Sequence, residues 1–227
     1  MSDELLRLSD TGRHAPDGRG HLSAATSNDE MFARIADLYL RPGMTVVDPM
    51  FGKGVFWKRV DTSLYDARLT DLATGGPDAR RLPYGTGTVH AIVLDPPYRY
   101  VEAKSTAGHV HERYNLDSVR GRGHDAVMDL YRHAMAEAAR VLMVGGYLIV
   151  KCQDTITDGK QQWVHVELMA HAQELDCEVI DLAVVTPSQV PPTRWKVQRS
   201  LRKAHSYFLV CRKGGRWPFG YRAVSKR

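Results

Sequence analysis

Short apolar runs that alternate with segments of helical periodicity constrain the fold of this chain more than any other feature. The clearest run, residues 89–94 (VHAIVL), has the length and composition of a buried strand and ends at an aspartate, Asp95. Helical spacing is clearest at Val127, Tyr131 and Ala134, and apolar residues continue the same face further along the chain. Strands that alternate with helices predict an α/β fold with a mostly parallel sheet and helices on both faces.

The same patterns place the individual elements. Ser27 and Glu30 have the spacing of a capping box, so a helix is predicted over residues 28–40. Two further helices are predicted, one from about residue 127 up to the glycine pair at 145–146 and one over residues 161–175. Strands are predicted at residues 45–48, 67–71, 89–94, 147–152, 179–185 and 206–212.

The composition agrees with one soluble folded domain. The 227 residues are 43% hydrophobic and 25% charged, which is ordinary for a globular protein. We expect a flexible lead-in over residues 1–25, the main domain over residues 26–213 and a basic tail over residues 214–227. No stretch approaches the roughly 18 apolar residues of a membrane span. The polar N-terminus lacks the apolar core of a signal peptide, so a cytoplasmic protein without membrane contact is predicted.

The cysteines and histidines do not form a pattern typical of a metal site. Three cysteines lie in apolar stretches without CxxC spacing, which predicts inert buried thiols: Cys152, Cys177 and Cys211. Three histidines cluster between residues 109 and 124 without a spaced set of partner ligands. We therefore predict no metal.

A glycine-containing loop, residues 48–54 (DPMFGKG), follows the predicted strand 45–48. Glycines allow tight turns and let a ligand approach the backbone closely. The loop is not a dinucleotide fingerprint, because Trp57 stands where that motif has its third glycine. It is not a phosphate-binding Walker loop either, because no GK[ST] is present. Taken alone, the loop is equally consistent with a plain strand-to-helix turn.

Residues 95–98 (DPPY) are the most specific motif in the chain. Two prolines at a strand end fix φ and leave carbonyl oxygens without a competing N–H, so they form a rigid turn. The carboxylate before them can accept a hydrogen bond from an amine, and the tyrosine ring after them can stack on a planar group. The motif therefore indicates a clamp for an aromatic amine such as the amino group of a nucleobase.

Together the two motifs resemble those of the DNA N6-adenine and N4-cytosine methyltransferases, and the resemblance covers about residues 27–213. It implies a methyltransferase domain with a Rossmann-like class I sheet of six to seven strands, of which the last is antiparallel. It also implies S-adenosyl-L-methionine as the cofactor. Met50 and Phe51 stand where the family usually has a phenylalanine and a small residue, while both glycines of the loop are kept.

The resemblance also implies roles for individual residues. The catalytic residues would be Asp95, Pro96, Pro97 and Tyr98. The cofactor would be bound by Asp48, Pro49, Met50, Phe51, Gly52 and Gly54, with Asp71 at the ribose hydroxyls and Asp78 and Ala79 at the adenine. Only residues 72–77 separate these two acids, which leaves no room for the usual connecting helix and predicts a sheet trimmed at that edge.

Basic residues interleaved with aromatic residues indicate a nucleic-acid partner. The net charge is +5, and a basic excess attracts a phosphate backbone. Two segments that should face the substrate carry the predicted contacts, namely Arg99, Arg113, Arg120 and Arg122 in the first and Arg194, Trp195, Lys196, Arg199 and Arg202 in the second. The prediction favours DNA over RNA.

Several functions remain open on these residues. Asp95 before the two prolines favours adenine N6, since N4-cytosine enzymes of the family commonly have serine there, and N4-cytosine methylation of DNA is the alternative. RNA guanine-N2 methyltransferases also use Asp-Pro-Pro-Tyr, although no appended RNA-binding module is evident. The intact motifs argue against a non-catalytic nucleic-acid-binding subunit, and protein glutamine methyltransferases usually have asparagine at this position.

Overall fold

The structure is a computed structural model that describes residues 21–97, 123–157, 159–190, 197–198 and 200–214. The strands are β1 (Ala24–Ala25), β2 (Thr45–Asp48), β3 (Asp66–Leu69), β4 (Val89–Leu94), β5 (Leu142–Cys152), β6 (Thr155–Thr157), β7 (Lys160–Gln162), β8 (Cys177–Val185) and β9 (Ser206–Lys213). The α-helices are α1 (Asn28–Tyr39), α2 (His124–Val141) and α3 (Val164–Glu174). Short 3₁₀ helices lie at Phe56–Arg59, Thr62–Leu64 and Leu72–Thr74.

Seven of these strands form one sheet in the order β1-β8-β9-β5-β4-β2-β3. Neighbouring strands are parallel except at β9, which is antiparallel to both β5 and β8. The predicted mostly parallel sheet of six to seven strands with an antiparallel last strand is thus confirmed. β3 is an edge strand, and a 3₁₀ helix takes the place of an α-helix in the connection from β3 to β4, as predicted.

Alternation along the strands divides the core into two layers. Ile92 and Leu148 face a layer that also contains buried residues of α2 and α3. Val93 and Ile149 point to the other side, where α1 and the first 3₁₀ helix pack. A fully buried side chain of this size stabilises the fold by roughly 1.5–3 kcal/mol, so both layers contribute to folding. Helices on both faces are confirmed.

Helix α1 begins where the capping box predicts. The Ser27 hydroxyl accepts a hydrogen bond from the Glu30 backbone N–H at 3.4 Å. Acidic residues in the first turn, Asp29 and Glu30, face the positive end of the helix dipole. Phe32 on the buried face contacts the Trp57 ring edge-on, with ring centroids 4.8 Å apart, and this contact ties α1 to the segment after the glycine loop.

The boundary between α2 and β5 differs from the prediction. The helix ends at Val141 and the strand begins at once at Leu142, so the glycine pair lies inside the strand rather than before it. The register between β4 and β5 shifts at this point, and Gly145 has a φ of 82°. A Cβ on Gly146 would lie 2.8 Å from the His90 carbonyl oxygen. The glycines therefore form a bulge in β5 instead of a helix stop.

Three short strands, β1, β6 and β7, were not predicted. Residues 160–162 pair with β6 as a hairpin, so α3 begins at Val164 and not at residue 161. Ala24–Ala25 pairs with β8 at the edge of the sheet, although the lead-in was expected to run to residue 25. Residues 1–20 and 215–227 lie outside the described residues.

The three cysteines are free and buried, as predicted. Burial raises the pKa of the Cys152 and Cys211 thiols well above the usual range, so both stay protonated. No helix in the described part of the chain has the length and apolar character needed to cross a membrane.

Candidate active site

The residues of interest gather at the carboxyl edge of the sheet. The parallel strands β2, β4 and β5 are neighbours in the sheet. Strand β2 ends at Asp48, β4 ends one residue before Asp95, and β5 ends one residue after Lys151. Because β9 runs in the opposite direction, its first residue, Ser206, lies at the same edge. In parallel α/β sheets, ligands bind beyond the carboxyl ends of the strands, so this edge is the candidate site.

Asp48 is a buried acid with a partner on each carboxylate oxygen. Its side chain is 2% exposed. Oδ1 accepts a hydrogen bond from the Met50 backbone N–H at 2.9 Å, and Oδ2 accepts one from the Trp57 indole Nε1–H at 2.8 Å. Burial raises the pKa of Asp48 to about 7, although these two hydrogen bonds lower it and the nearby carboxylates Asp95 and Asp71 raise it further.

The glycine loop adopts a conformation that its glycines require. Gly52 and Gly54 have positive φ values of 54° and 65°. A Cβ on Gly54 would lie 2.5 Å from Cζ of Phe51, so the Phe51 ring covers the glycine directly. The Phe51 N–H donates to the Thr70 carbonyl at 2.9 Å, which fastens the loop to the chain after β3. Pro49 and Met50 are buried, whereas Gly52 and Lys53 are exposed at the edge.

Asp71 joins the glycine loop to the connection after β3. Its Oδ2 accepts a hydrogen bond from the Gly52 N–H at 3.0 Å, and Oδ1 accepts one from the Ala73 N–H at 2.8 Å. Met50 and Asp71 also form an isolated antiparallel bridge. Each carboxylate oxygen keeps acceptor capacity for a further donor. Asp71 is thus adjacent to the glycine loop.

Asp78 and Ala79 lie in the turn that leads back to the core. Both carboxylate oxygens of Asp78 accept hydrogen bonds from the Arg80 side chain, and the closest, between Nη2 and Oδ2, is 2.6 Å long. Burial raises the pKa of Asp78, but the hydrogen bonds from Arg80 outweigh it and the net pKa is below the usual value. Ala79 is 1% exposed and packs in the core. Their contact with adenine stays a prediction.

The described part of the DPPY motif follows β4 directly. Asp95 and Pro97 are half-buried and Pro96 is buried. Arg202, one of the predicted nucleic-acid contacts, is exposed in the segment before β9. The other predicted residues lie outside the described residues, namely Tyr98, Arg99, Arg113, Arg120, Arg122, Arg194, Trp195, Lys196 and Arg199.

Lys151 is a buried charge that sequence reasoning did not single out. It is 1% exposed, and its ammonium donates a hydrogen bond to the Ser206 hydroxyl. Burial lowers the pKa of Lys151 to about 8, and the negative charge of Asp95 partly offsets this effect. One signal was present, since a lysine interrupts the apolar run at the end of a predicted strand (residues 147–152, YLIVKC).

A second polar group was also missed at this edge. Asp154 is fully buried, and its Oδ1 lies 2.7 Å from Nδ1 of His165 at the start of α3. The His165 ring stacks on Tyr207, with centroids 4.4 Å apart. The Tyr207 hydroxyl lies 2.8 Å from Nε2 of His205. This chain of contacts fixes the start of α3 against β9 beside the candidate site.

The fold and the site together define a class of protein. A mostly parallel sheet with one antiparallel strand, helices on both faces and an acidic glycine loop at the carboxyl edge form a Rossmann-like class I methyltransferase fold. Residues 89–227, more than half of the chain, match the N6/N4 DNA methylase family. The chain belongs to this family, whose members depend on S-adenosylmethionine. The matched range includes residues 95–98 but not the glycine loop.

Solved structures match the chain at low sequence identity. A proposed DNA modification methylase from Thermus thermophilus in complex with S-adenosyl-L-methionine is 21% identical over 66% of this chain and 56% of its own, with a TM-score of 0.41. TrmN from Thermus thermophilus is 19% identical over 82% of this chain and 48% of its own, with a TM-score of 0.49. A SAM-dependent methyltransferase from Methanosarcina mazei is 12% identical over 77% of this chain and 94% of its own, with a TM-score of 0.46.

The alignment covers only 56% of the Thermus thermophilus methylase and 48% of TrmN, so this chain spans about half the length of either protein. Comparison with curated proteins gave no significant match.

Proposed function

We propose that this methyltransferase transfers a methyl group to the exocyclic amino group of a nucleic-acid base, with adenine N6 of DNA as the favoured target. The observation that carries the proposal is the position of Asp95, Pro96 and Pro97. They follow β4 directly, at the edge where the neighbouring strand β2 ends in Asp48 and the glycine loop. Methyl transfer needs the amine and the cofactor to be held next to each other, and both groups of residues lie at the carboxyl edge of the sheet.

The residues at the edge fit S-adenosylmethionine. The cofactor has a cationic sulfonium, an amino-acid group and a ribose with two hydroxyl donors. Asp71 supplies carboxylate oxygens next to the loop, and Asp48 holds the start of the loop through its hydrogen bond from the Met50 N–H. The exposed Gly52 leaves its backbone accessible. We assign the cofactor to residues 48–54 and Asp71, with Asp78 and Ala79 at the adenine end. When bound, it supplies an electrophilic methyl group.

The part of this chain in the reaction is to hold and orient the amine. The lone pair of a nucleobase amino group is delocalised into the ring, so the amine is a poor nucleophile. Hydrogen bonds from its two hydrogens to the Asp95 carboxylate and the Pro96 carbonyl would favour a tetrahedral nitrogen with a free lone pair. The carboxylate also stabilises the positive charge that develops on nitrogen. Pro96 and Pro97 restrict the backbone, which keeps both acceptors in place.

The target base must leave the duplex before the clamp can reach it. We assign Tyr98 to stacking on the extruded base, and the basic residues of the two predicted segments to phosphate contacts. The net charge of +5 and the exposed Arg202 at the same edge support an anionic polymer. Family membership supports DNA. N4-cytosine methylation of DNA and guanine-N2 methylation of RNA are the alternatives.

A transfer assay with methyl-labelled cofactor tests the proposal. Wild-type protein is offered duplex DNA, total tRNA and ribosomal RNA, and the labelled nucleoside is identified after digestion. We expect label in DNA as N6-methyladenine. Label as N4-methylcytosine corrects the base, label in RNA alone overturns the DNA assignment, and no label in any polymer overturns the proposed function.

A variant pair tests the role of Asp95. We expect Asp95→Ala to lower transfer by about 10²-fold or more, because an alignment and charge-stabilising group is lost. Cofactor binding measured by calorimetry should persist. Asp129→Asn, which changes a partly exposed aspartate on α2, is the matched control and should transfer normally. Normal transfer by Asp95→Ala would contradict the assignment.

A further inference from the structure

Four polar side chains form a row along the carboxyl edge of the sheet: Asp48, Asp95, Lys151 and Ser206, here called the edge row. Asp48, Lys151 and Ser206 belong to β2, β5 and β9, and Asp95 directly follows β4; these four strands are neighbours in the order β2, β4, β5 and β9. Leu94 pairs with Val150, so the next residues along the two strands, Asp95 and Lys151, are also neighbours.

The side chains of the edge row share one face of the sheet. Val93 and Ile149 pack in the layer of α1, and strand alternation returns Asp95 and Lys151 to that face. The contacts of Lys151 agree, because its Nζ lies 4.6 Å from the centroid of Phe208, a residue of the same layer. Asp48 faces this side too, where it accepts the hydrogen bond from Trp57.

A buried lysine is costly to keep unless it has a partner for its charge. The only partner that the described residues provide by hydrogen bond is the neutral hydroxyl of Ser206, while Phe208 offers the face of its ring. Neither carries a negative charge. The nearby acid on the adjacent strand is Asp95, and its charge favours the ammonium form of Lys151. The arrangement is explained if Lys151 and Asp95 act as a charge pair.

The neighbourhood of Asp95 is acidic. Asp48 lies close enough for the two carboxylates to repel each other, and like charges in a buried site favour protonation of one member. Among the described residues, Asp71 is a further acid near Asp48, whereas Cys152 and Tyr131 are neutral because burial raises the pKa of each. Lys151 brings positive charge to this acidic neighbourhood.

We propose that Lys151 is a positioning residue that keeps Asp95 ionised and oriented for the amine, and that Ser206 holds its ammonium in place. This inference rests on the proposed function, which gives Asp95 the amine. A protonated Asp95 would present a hydrogen-bond donor where the amino group needs an acceptor. With Lys151 beside it, the proton shared by the acidic pair resides on Asp48, and Asp95 remains the acceptor.

Three variants test the proposal through the pH dependence of single-turnover methyl transfer. Lys151→Met removes the charge but keeps the length of the side chain, Lys151→Arg keeps the charge, and Ser206→Ala removes only the hydrogen bond. We expect Lys151→Met to lower the transfer rate at pH 7 by about tenfold or more and to move the acid limb upward by about one pH unit. Lys151→Arg should restore most of the limb position, and Ser206→Ala should be intermediate.

A second measurement does not depend on catalysis. Protein labelled with ¹³C at the aspartate carboxyl carbons is titrated by NMR, and the Asp95 signal is identified by its loss in Asp95→Asn. The signal should titrate at higher pH in Lys151→Met than in the wild type. If the wild type methylates no nucleic acid, the proposed function fails, yet this titration still decides the role of Lys151.

Two results would overturn the inference. One is an Asp95 titration and a pH profile that do not change in Lys151→Met. The other is a loss of activity that follows a matching loss of thermal stability and cofactor binding, with the acid limb unmoved, since this would make Lys151 merely structural.

Discussion

The Trp57 indole donates a hydrogen bond of 2.8 Å to Oδ2 of Asp48 beneath the glycine loop. Both residues are buried, at 5% and 2% exposure. Trp57 replaces the third glycine of a dinucleotide fingerprint, and here its ring packs on α1 while its N–H satisfies the acid that begins the loop. The position of the loop therefore depends on a residue nine positions further along the chain.

Replacing Trp57 with phenylalanine should destabilise the protein and weaken cofactor binding. The variant keeps an aromatic ring against Phe32 but leaves Oδ2 of Asp48 without its donor. Loss of a partner for a buried polar group costs about 1–3 kcal/mol. Chemical denaturation gives the free energy of unfolding, and calorimetry gives the cofactor affinity. An unchanged cofactor affinity in the folded variant would show that the loop does not need this hydrogen bond.

Asp48 should make stability fall as pH rises from about 4 to 7. Burial raises its folded-state pKa to about 7, whereas an unfolded aspartate titrates near ~3.9. In this window the folded state keeps a proton that the unfolded state has lost, so rising pH favours unfolding. Asp48→Asn removes this contribution. The unfolding free energy of the wild type minus that of the variant should drop by roughly 2–4 kcal/mol between pH 4 and pH 8.

Denaturation of both proteins at several pH values measures this difference, and parallel stability curves would contradict the prediction.

Asp29 contributes to the pH dependence of stability in a lower pH range. Hydrogen bonds from Ser27 and Arg59 lower its pKa to about 2, so its stabilising effect is lost only as pH falls from about 4 toward 2. The Asp29 contribution is the same in the wild type and in Asp48→Asn, so it cancels in the difference between their unfolding free energies.

Gly54→Ala should destabilise the loop by more than the strain of a positive φ at this position would. The new Cβ would lie 2.5 Å from the Phe51 ring, and φ at this position is 65°. Gly87 is the matched control, because it has a φ of 70° but nothing within 4 Å of the added Cβ. We expect Gly87→Ala to cost about 1 kcal/mol, and Gly54→Ala to cost more and to abolish cofactor binding. Equal stability losses with cofactor binding intact would refute the steric argument.

Arg202 should contribute to affinity for the nucleic acid rather than to chemistry. It is exposed next to the start of β9, at the edge that carries Asp95. Arg202→Gln should raise KM for the polynucleotide without changing kcat, and the slope of log K against log salt should shrink by about 0.9. Arg68→Gln on the edge strand β3 is the control, and a change of the same size there would mean that only net charge matters.

Much of the fold could be predicted from the sequence because periodicity is a local property. The run at residues 89–94 and the capping box before α1 both give elements within one residue of their observed bounds. The bulge in β5 could not be predicted in the same way. Gly145 and Gly146 are also typical of a helix end, and the choice depends on how β4 pairs with β5.

The hairpin before α3 also depends on strand pairing, so the sequence around it gave little indication of its secondary structure. β6 and β7 are each three residues long, and their register pairs Ile156 with Gln161. A pair of strands this short carries no recognisable alternation. What makes it a hairpin is cross-strand hydrogen bonding, which sequence spacing does not reveal.

The sequence by itself determined the fold class, the two motifs and the family, because strand and helix periods and motif spacing are written along the chain. Only the tertiary structure decided which groups meet. It placed Trp57 on Asp48, and it placed Lys151 in the row with Asp95 and Ser206, residues that lie in or directly after three different strands. The physical reason is that burial and charge act through space, so the state of an acid depends on neighbours that the linear order does not identify.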